Sequence, residues 1–420
     1  MNDAVGETVT DTTAAVVPEA ESVVIVGAGV AGWRVARDLR GAGFSGPVTV
    51  IGDEPPYDRP PLSKQYLAGE YDDARISLYR GEEPGSIDVT VRESRVVTVR
   101  SGVVTLADGE EVTADAIVVA TGSTARRPAM LDGHDVHTLR TREDSRVLRA
   151  ALADAASLLV LGGGFIGAEV AATARTAGLD VTLVELQPQL LGAALGGECG
   201  ARLEEVHREH GVALVTGTGV ERIETRDGST VAVLADGREL TADVVVAGFG
   251  AALNLDVLED VAQEEGLDLT NGVVCDANGR VLGVDGVWAV GDIAAWHDPV
   301  LDRPVRREHW QVAGEQASIV ARTIAGTADA ATKRNPPYFW SDQYDVKMQL
   351  FGRPELADRA GWLEADDLEP RSVWAHHRTY DGGEHLVAVV TFGVPRLLGR
   401  FRPLVTQGLA DLAAATDATP

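Results

Sequence analysis

The apolar positions of this chain fall into short runs rich in β-branched residues, and two of these runs open the same pattern. Residues 23–26 are Val-Val-Ile-Val, a glycine turn follows, helical spacing continues to Leu39, and residues 48–51 form the next apolar run. The order repeats from residues 158–161, through a second glycine turn and helix, to residues 181–184. A strand, a tight turn, a helix and a second strand make a βαβ unit, so the sequence predicts two such units.

Three further apolar runs end in small-residue turns, and the pattern changes after about residue 326. The runs cover residues 116–122, 242–250 and 286–292, so each half has a βαβ unit followed by a strand with a glycine exit. Aromatic residues and a candidate strand at residues 386–392 follow a polar linker. We predict an α/β fold with two Rossmann-like dinucleotide-binding domains and a smaller C-terminal α+β domain.

Each glycine turn carries a phosphate-binding fingerprint and is followed by an acid. The first is Gly27-Ala28-Gly29-Val30-Ala31-Gly32 with Asp53 after it, and the second is Gly162-Gly163-Gly164-Phe165-Ile166-Gly167 with Glu185 after it. The first glycine allows a tight turn, the second lets the backbone approach a pyrophosphate, and the third lets the helix pack on the strand. The acid accepts hydrogen bonds from an adenosine ribose. A chain that holds two redox dinucleotides is expected to pass electrons between them.

Glu185 indicates which nucleotide the second site prefers. A carboxylate at this position repels a 2′-phosphate, and the next residues, Leu186 and Gln187, supply no cation to bind one. We therefore expect NADH rather than NADPH as the electron donor.

The charge of the chain argues against some partners and is unevenly distributed. The net charge is −27 over 420 residues, which disfavours nucleic acid and anionic membranes as general partners. Residues 303–402 hold 14 Lys and Arg against 13 Asp and Glu, a local net charge of +1. This stretch is either an ordinary variation in surface charge or a face that receives an acidic partner.

Two other features bear on location. No apolar run is long enough to span a bilayer. Residues 1–20 contain acids but no Lys or Arg, so we expect a disordered leader rather than a secretory signal.

The only cysteines are Cys199 and Cys275, and they do not form a Cys-x-x-Cys motif. Two isolated cysteines fit a reducing cytoplasm. They disfavour a disulfide-reducing flavoenzyme, an iron–sulfur cluster or a metal site in this chain. With no dithiol to receive an electron pair, the simplest acceptor is an external one-electron carrier.

Longer motifs point to a family. They are Tyr-Asp-Arg-Pro-Pro-Leu-Ser-Lys at residues 57–64, Ala-Thr-Gly at 120–122, Leu-Arg-Thr at 139–141, Gly-Asp at 291–292, Glu-His-Trp at 308–310 and Phe-Trp-Ser-Asp-Gln-Tyr at 339–344. From about residue 22 to about residue 405 the chain resembles the FAD-dependent ferredoxin reductase family. The resemblance implies a glutathione-reductase-like architecture with the second dinucleotide domain inserted in the first. The implied domains are residues 21–123 with 247–326 for FAD, 124–246 for NAD, and 327–420 beside the flavin and the partner.

The resemblance also implies site residues by matching position. FAD, bound non-covalently, would be held by Gly27, Gly29, Ala31, Gly32, Asp53, Arg59, Lys64, Val96, Thr121, Gly122, Arg140, Asp292 and Trp310. NADH would be held by Gly162, Gly164, Ile166, Gly167, Glu185 and Gly250. Catalytic roles are implied for Lys64, Glu169 and Trp340. The alternatives are an exposed surface pair for Lys64 and Glu169, a core tryptophan for Trp340, and for His309 a structural hydrogen bond rather than proton donation.

The implied reaction takes hydride from NADH onto FAD and passes single electrons to a [2Fe–2S] ferredoxin that serves a cytochrome P450 or a ring-hydroxylating dioxygenase. The alternatives are a rubredoxin reductase or NADH oxidase of the same architecture, and a redox-sensing interaction protein similar to apoptosis-inducing factor. The cations of the last third predicted to dock the ferredoxin are Arg303, Arg306, Arg307, Lys333, Arg334, Arg396, Arg400 and Arg402.

Overall fold

A computed structural model describes residues 20–81, 83–195, 198–328, 335–365 and 368–417. The predicted leader therefore lies outside the described residues, apart from Ala20.

The first βαβ unit belongs to a five-stranded parallel sheet. Its strands, in spatial order, are Val287–Ala289, Ala116–Val119, Val23–Val26, Val48–Gly52 and Thr90–Glu93. The central strands are apolar and buried at every position because helices cover both faces of such a sheet. The helix Val30–Gly41 follows the first glycine turn and packs against the helix Trp310–Ile324, which comes from much later in the chain.

The second unit belongs to a four-stranded parallel sheet. Its order is Ala213–Thr216, Asp180–Glu185, Ser157–Leu161 and Val244–Ala247. The helices of this part of the chain are Arg142–Ala153, Phe165–Thr176, Gly192–Leu195 and Cys199–Glu209. All of this sheet lies in sequence between Ala116–Val119 and Val287–Ala289, which are neighbours in the first sheet. The α/β prediction with parallel dinucleotide-type sheets is therefore confirmed.

Smaller sheets, mostly antiparallel, flank the two parallel sheets, and one of them contains the parallel pair Val273–Cys275 and Ala294–Asp298. Ser123–Ala125 pairs with Ala251–Leu253 where the chain leaves one sheet for the other and returns. The remaining strands of this part are Val96–Arg100, Val103–Leu106, Glu111–Thr113, Val220–Arg226, Ser229–Leu234, Glu239–Thr241, Val273–Cys275, Ala294–Asp298 and Arg303–Arg306, and the remaining α-helices are Asp73–Ile76 and Glu259–Glu265.

The C-terminal part is a five-stranded antiparallel sheet with one long helix. The strand order is Tyr338–Gln343, Val346–Gly352, Gly383–Phe392, Val373–Tyr380 and Arg359–Trp362. The helix Pro395–Asp417 buries Leu398, Phe401 and Val405 against this sheet. This matches the predicted α+β domain, with the strand predicted at 386–392 beginning three residues earlier.

The predicted domain boundaries remain predictions. The strands Ser123–Ala125 and Ala251–Leu253, where the chain passes between the two parallel sheets, lie near two of them. Among the described residues, no helix is both long and apolar enough to cross a bilayer.

Candidate active site

The two glycine turns are built alike. Gly27 and Gly162 have φ values of +106° and +107°, in the left-handed region where only glycine is unstrained. A Cβ at Gly27 would lie 2.4 Å from the carbonyl oxygen of Ala120, and a Cβ at Gly162 would lie 2.4 Å from that of Gly248. Each turn therefore lies directly against the end of a neighbouring strand, and no larger residue fits there.

The middle glycines differ from the first ones because they face open space. A Cβ added at Gly29 or at Gly164 would meet no atom within 4 Å. Each of these residues is the N-cap of the following helix, and neither helix has a side-chain cap or an acid in its first turn. The helix Arg142–Ala153, by contrast, is closed by a capping box formed by Thr141 and Asp144. Uncapped N–H groups beside open space fit a pyrophosphate at both turns.

The third glycines lock helix to strand. A Cβ at Gly32 would lie 1.9 Å from the carbonyl oxygen of Gly27, and one at Gly167 would lie 2.0 Å from that of Gly162. Ala31 is buried and lies under Gly291, whose added Cβ would be 3.3 Å from the Ala31 side chain. The first turn is thus brought against the predicted Gly-Asp motif of a distant strand.

The acids after the two turns are held differently. Asp53 is exposed at the end of the strand Val48–Gly52. The Glu185 carboxylate accepts hydrogen bonds from the backbone N–H groups of Gly163, at 2.6 Å, and Gln187, at 2.7 Å. Leu186 beside it is 64% exposed, so this residue faces solvent at the edge of the second site.

A cationic cluster lies near the first turn. Arg140 donates to Asp292 Oδ2 at 2.8 Å and to the carbonyl of Ser123 at 2.8 Å, and the Ser123 hydroxyl donates to Asp292 at 2.7 Å. Arg59 donates to the Arg140 carbonyl at 2.9 Å. Burial lowers the pKa of the Arg140 guanidinium although Asp292 opposes the shift. Gly122, with φ +68°, lies beside the Arg140 guanidinium, and Thr121 donates to the carbonyl of Asn254 at 2.6 Å.

Unpartnered polar atoms surround the start of the helix Trp310–Ile324. Trp310 Nε1 donates to Asp58 Oδ1 at 2.8 Å, and burial raises the pKa of Asp58. His309 Nδ1 and Gln311 Oε1 are buried and have no hydrogen-bond partner in the described part of the chain. Burial lowers the pKa of His309 to about 4, so the ring is neutral at neutral pH. Buried polar atoms normally have partners, and these two atoms fit a polar ligand such as FAD at this helix N-terminus.

Lys64 and Glu169 form a buried ion pair. Lys64 follows the short 3₁₀ helix Pro60–Ser63, and Glu169 lies on the helix Phe165–Thr176, two residues after Gly167. Lys64 Nζ lies 2.7 Å from Glu169 Oε2, and their side chains are 11% and 4% exposed. The Ser63 hydroxyl donates to the same carboxylate at 2.5 Å. An exposed surface pair is therefore excluded as the description of these two residues.

Trp340 lies next to Trp310. The two rings meet edge to face with centroids 6.1 Å apart, and Trp340 also stacks on Tyr338 at 5.8 Å. Trp340 is half-buried rather than part of the buried core. The remaining predicted positions are varied: Val96 is buried in a strand, Ile166 is 42% exposed at the start of its helix, and Gly250 adopts φ +86°.

The predicted docking cations do not form a uniform set. Arg307 is 15% exposed and pairs with Glu355 at 2.8 Å and Asp298 at 3.6 Å. Arg306 donates to Glu308 and to the Asp292 carbonyl. Arg303, Arg396, Arg400 and Arg402 are exposed, and Arg402 also lies over the rings of Tyr338 and Phe351. Lys333 and Arg334 lie outside the described residues.

Three side chains close to Glu169 were not expected from the sequence. Ser341 donates to Glu169 Oε1 at 2.6 Å, and Gln343 and His207 follow it in a line of hydrogen bonds. Ser341 and Gln343 occur in the motif at residues 339–344, but that motif carried no role for them. Nothing near His207 in the sequence marks it.

A cavity of about 540 Å³ opens between the second glycine turn and the C-terminal sheet. Phe165, which follows Gly164, lies on one side, with its ring centroid 4.0 Å from that of Phe339. His309, Arg307 and His376 complete other walls. The cavity therefore connects the second turn with the residues before the helix Trp310–Ile324.

The chain is similar to known protein families, to individual relatives and to solved structures. Residues 21–317 match the pyridine nucleotide-disulphide oxidoreductase family, and residues 338–419 match the reductase C-terminal family. Rhodocoxin reductase of Rhodococcus erythropolis is 38% identical over 80% of this chain and 79% of its own length. The ferredoxin–NAD(+) reductase component of the anthranilate 1,2-dioxygenase system of Burkholderia cepacia is 37% identical, over 93% of this chain and 95% of its own. The crystal structure of the covalent putidaredoxin reductase–putidaredoxin complex matches with a TM-score of 0.83 and 31% identity, over 95% of this chain and 99% of that one.

Proposed function

The chain belongs to the pyridine nucleotide-disulphide oxidoreductase family and carries a reductase-type C-terminal domain, and from this we propose that it is an NADH-dependent ferredoxin reductase containing FAD. The resemblance seen in the sequence motifs is thereby confirmed at the level of the family. Its relatives include a protein named as a ferredoxin–NAD(+) reductase component.

The first turn is the proposed FAD site. Its open middle glycine, the ion pair of Arg140 and Asp292, and the unpartnered atoms at the start of the helix Trp310–Ile324 fit a large polar dinucleotide. When bound, FAD accepts a hydride from NADH and releases the electrons one at a time. The protein would hold the two rings against each other and exclude water from the site.

The second turn is the proposed NADH site. Glu185 is already oriented by two backbone N–H groups, so its carboxylate is fixed where a ribose hydroxyl would donate and a 2′-phosphate would be repelled. The cavity beside Phe165 leads from this turn toward the FAD site. We propose that NADH enters along it.

One observation carries the proposal: the buried Lys64–Glu169 pair joins the two sites. Lys64 comes shortly after the acid of the first turn, and Glu169 comes two residues after the last glycine of the second. The two dinucleotides would therefore meet at this pair. Lys64 supplies a positive charge where negative charge develops as the hydride is transferred, and Glu169 holds Lys64 in place.

We propose a [2Fe–2S] ferredoxin of a cytochrome P450 or dioxygenase system as the electron acceptor. The names of the relatives support a ferredoxin. The exposed cations Arg303, Arg396, Arg400 and Arg402 are the candidates for docking it, whereas Arg307 is largely buried. A reducing cytoplasm is the compartment we propose, and the buried thiols Cys199 and Cys275 are compatible with it.

The proposal is tested by anaerobic stopped-flow spectroscopy of the FAD-loaded protein with NADH and purified [2Fe–2S] ferredoxins. We expect rapid flavin reduction by NADH followed by ferredoxin reduction in many turnovers. Reduction of rubredoxin instead, of oxygen without a carrier, or a long-lived reduced complex that turns over slowly would replace the proposal by one of its three alternatives.

Docking is tested by Arg396→Glu with Arg400→Glu at low salt. We expect the KM for ferredoxin to rise by about fivefold while NADH–ferricyanide turnover is unchanged, since rim charges act mainly on association. Unchanged ferredoxin kinetics would remove these cations from the docking face.

A further inference from the structure

A line of polar side chains leads from Glu169 to the edge of the C-terminal sheet. Ser341 Oγ lies 2.6 Å from Glu169 Oε1, and Gln343 Nε2 lies 3.1 Å from Ser341 Oγ. His207 Nε2 lies 2.9 Å from Gln343 Oε1, and His207 Nδ1 lies 3.1 Å from the Tyr344 hydroxyl. We call Ser341, Gln343, His207 and Tyr344 the polar file. Ser341, Gln343 and His207 are at most 1% exposed.

The direction of every hydrogen bond in the polar file follows from Glu169. This carboxylate accepts hydrogen bonds from three donors, Ser63, Lys64 and Ser341. Because the Ser341 proton is used on Glu169, the Ser341 oxygen accepts from the Gln343 amide nitrogen. The remaining amide oxygen of Gln343 then requires a proton on His207 Nε2.

The last step fixes the tautomer of His207. Burial lowers the pKa of His207 to about 4, so the ring is neutral at neutral pH, and Nδ1 accepts from the Tyr344 hydroxyl. Burial raises the pKa of Tyr344, which keeps its proton. Tyr344 has φ +56°, a strained value for an aromatic residue, and its ring stacks on His210 at 3.7 Å. All donors of the polar file therefore point toward Glu169.

The polar file holds a group in place and does not conduct protons. A side-chain amide is neither an acid nor a base near neutral pH, so Gln343 is a poor member of a proton relay. What the file supplies is a fixed donor for Oε1 of Glu169, which leaves Oε2 for Lys64 and Ser63. The donors come from the C-terminal sheet and from the helix Cys199–Glu209, whereas Lys64 comes from the segment after the first turn.

We propose that Ser341, Gln343 and His207 are positioning residues that fix the Glu169 carboxylate, and through it Lys64, at the junction of the two dinucleotide sites. The inference rests on the proposed function of those sites. The positions of Glu169 and Lys64 then depend on the packing of the C-terminal sheet, which supplies Ser341 and Gln343.

The test compares buried residues that differ only in their link to Glu169. Ser341→Ala and Gln343→Met break the polar file. Thr391→Val and Gln349→Met are the matched controls in the same sheet, because the buried Thr391 hydroxyl has no partner among the described residues and Gln349 donates to Tyr338. FAD content and the unfolding midpoint establish that each variant is folded and loaded.

We expect single-turnover flavin reduction by NADH to fall about tenfold in Ser341→Ala, because a hydrogen bond to a charged group is lost, and by less in Gln343→Met. The Kd for NADH should stay unchanged, the flavin midpoint potential should move in both variants, and both controls should behave as the wild type. Equal rates and potentials in the variants and their controls would overturn the proposal.

A second measurement tests the tautomer of His207 directly in the wild-type protein and does not depend on enzyme activity. Nitrogen-15 NMR of histidine-labelled wild-type protein, with His207→Gln to assign the signal, should give a neutral His207 with its proton on Nε2 at pH 7. A protonated ring or an Nδ1–H tautomer would overturn the deduced direction of the file. Neither readout uses ferredoxin, so failure of ferredoxin reduction would count against the proposed function alone.

Discussion

The two βαβ units share their backbone and differ in what surrounds it. Both first glycines lie against a strand-end carbonyl, and in both units an acid, Asp115 or Asp243, accepts hydrogen bonds from backbone N–H at or just before the start of the first strand. Around the first turn, however, the polar groups come from distant segments, as in the pair Arg140–Asp292, which is 152 residues apart. Around the second, the acid is held by its own turn, and the exposed Ile166 and Leu186 flank an open edge. A site enclosed by distant segments suits a resident cofactor, and an open, locally built site suits a ligand that comes and goes.

The largest expected effect breaks the enclosure of the first site. Asp292→Ala leaves the half-buried Arg140 guanidinium without its carboxylate, so we expect a loss of about 2 kcal/mol in the free energy of unfolding and loss of FAD on gel filtration. Asp243→Ala, which removes an acid from the second unit, should keep its FAD. Chemical unfolding and flavin absorbance measure both, and full FAD retention in Asp292→Ala would contradict the assignment.

The next effect concerns the pair that joins the two sites. Lys64→Met should slow flavin reduction by NADH about 30-fold, because positive charge at the reacting centre is lost, with FAD retained. Lys347→Met is the matched control, since Lys347 pairs with Asp342 in a partly exposed position. Stopped-flow rates that fall equally in both variants would show that Lys64 has no special role.

The second unit is also expected to differ from the first in how its stability depends on pH, because it contains the buried His207. The pKa of His207 lies at about 4 in the folded protein, below its ordinary value of 6.5. Between these values the unfolded chain binds a proton that the folded protein does not, so stability falls as the pH falls through this window. Wild-type protein should therefore lose about 2 kcal/mol more than His207→Gln between pH 7 and pH 4.5. Urea unfolding at the two pH values measures this, and equal losses would contradict it.

A smaller effect distinguishes the two acids. Glu185→Ala removes the repulsion of a 2′-phosphate, so we expect the preference for NADH over NADPH, measured as a ratio of kcat/KM values, to fall about tenfold. Asp53→Ala should leave this ratio unchanged and weaken FAD binding instead. A change of the ratio in Asp53→Ala alone would reverse the two assignments.

Local patterns in the sequence predicted the helices and strands. Contacts between residues far apart in the chain could not be predicted from these patterns. The strand Val23–Val26 matches its prediction, and the second helix begins at Phe165, directly after the glycine turn, with Gly164 as its N-cap. The Lys64–Glu169 pair came only from family resemblance, since 105 residues separate its members. Arg307 was expected to be available for docking, but its partners Asp298 and Glu355 meet it only in the folded chain. The sequence does not mark His207 either, because its role depends on a hydrogen bond with Gln343 of the C-terminal sheet.

The most direct test of the unequal roles of the two sites compares Gly29→Val with Gly164→Val. Both glycines have ordinary φ values, −67° and −70°, and open space at the Cβ position, so valine should fill only the place of a pyrophosphate. We predict that Gly29→Val is isolated folded without FAD. Gly164→Val should keep its FAD, which dithionite reduces and NADH does not. Loss of FAD from Gly164→Val together with its retention in Gly29→Val would contradict the account.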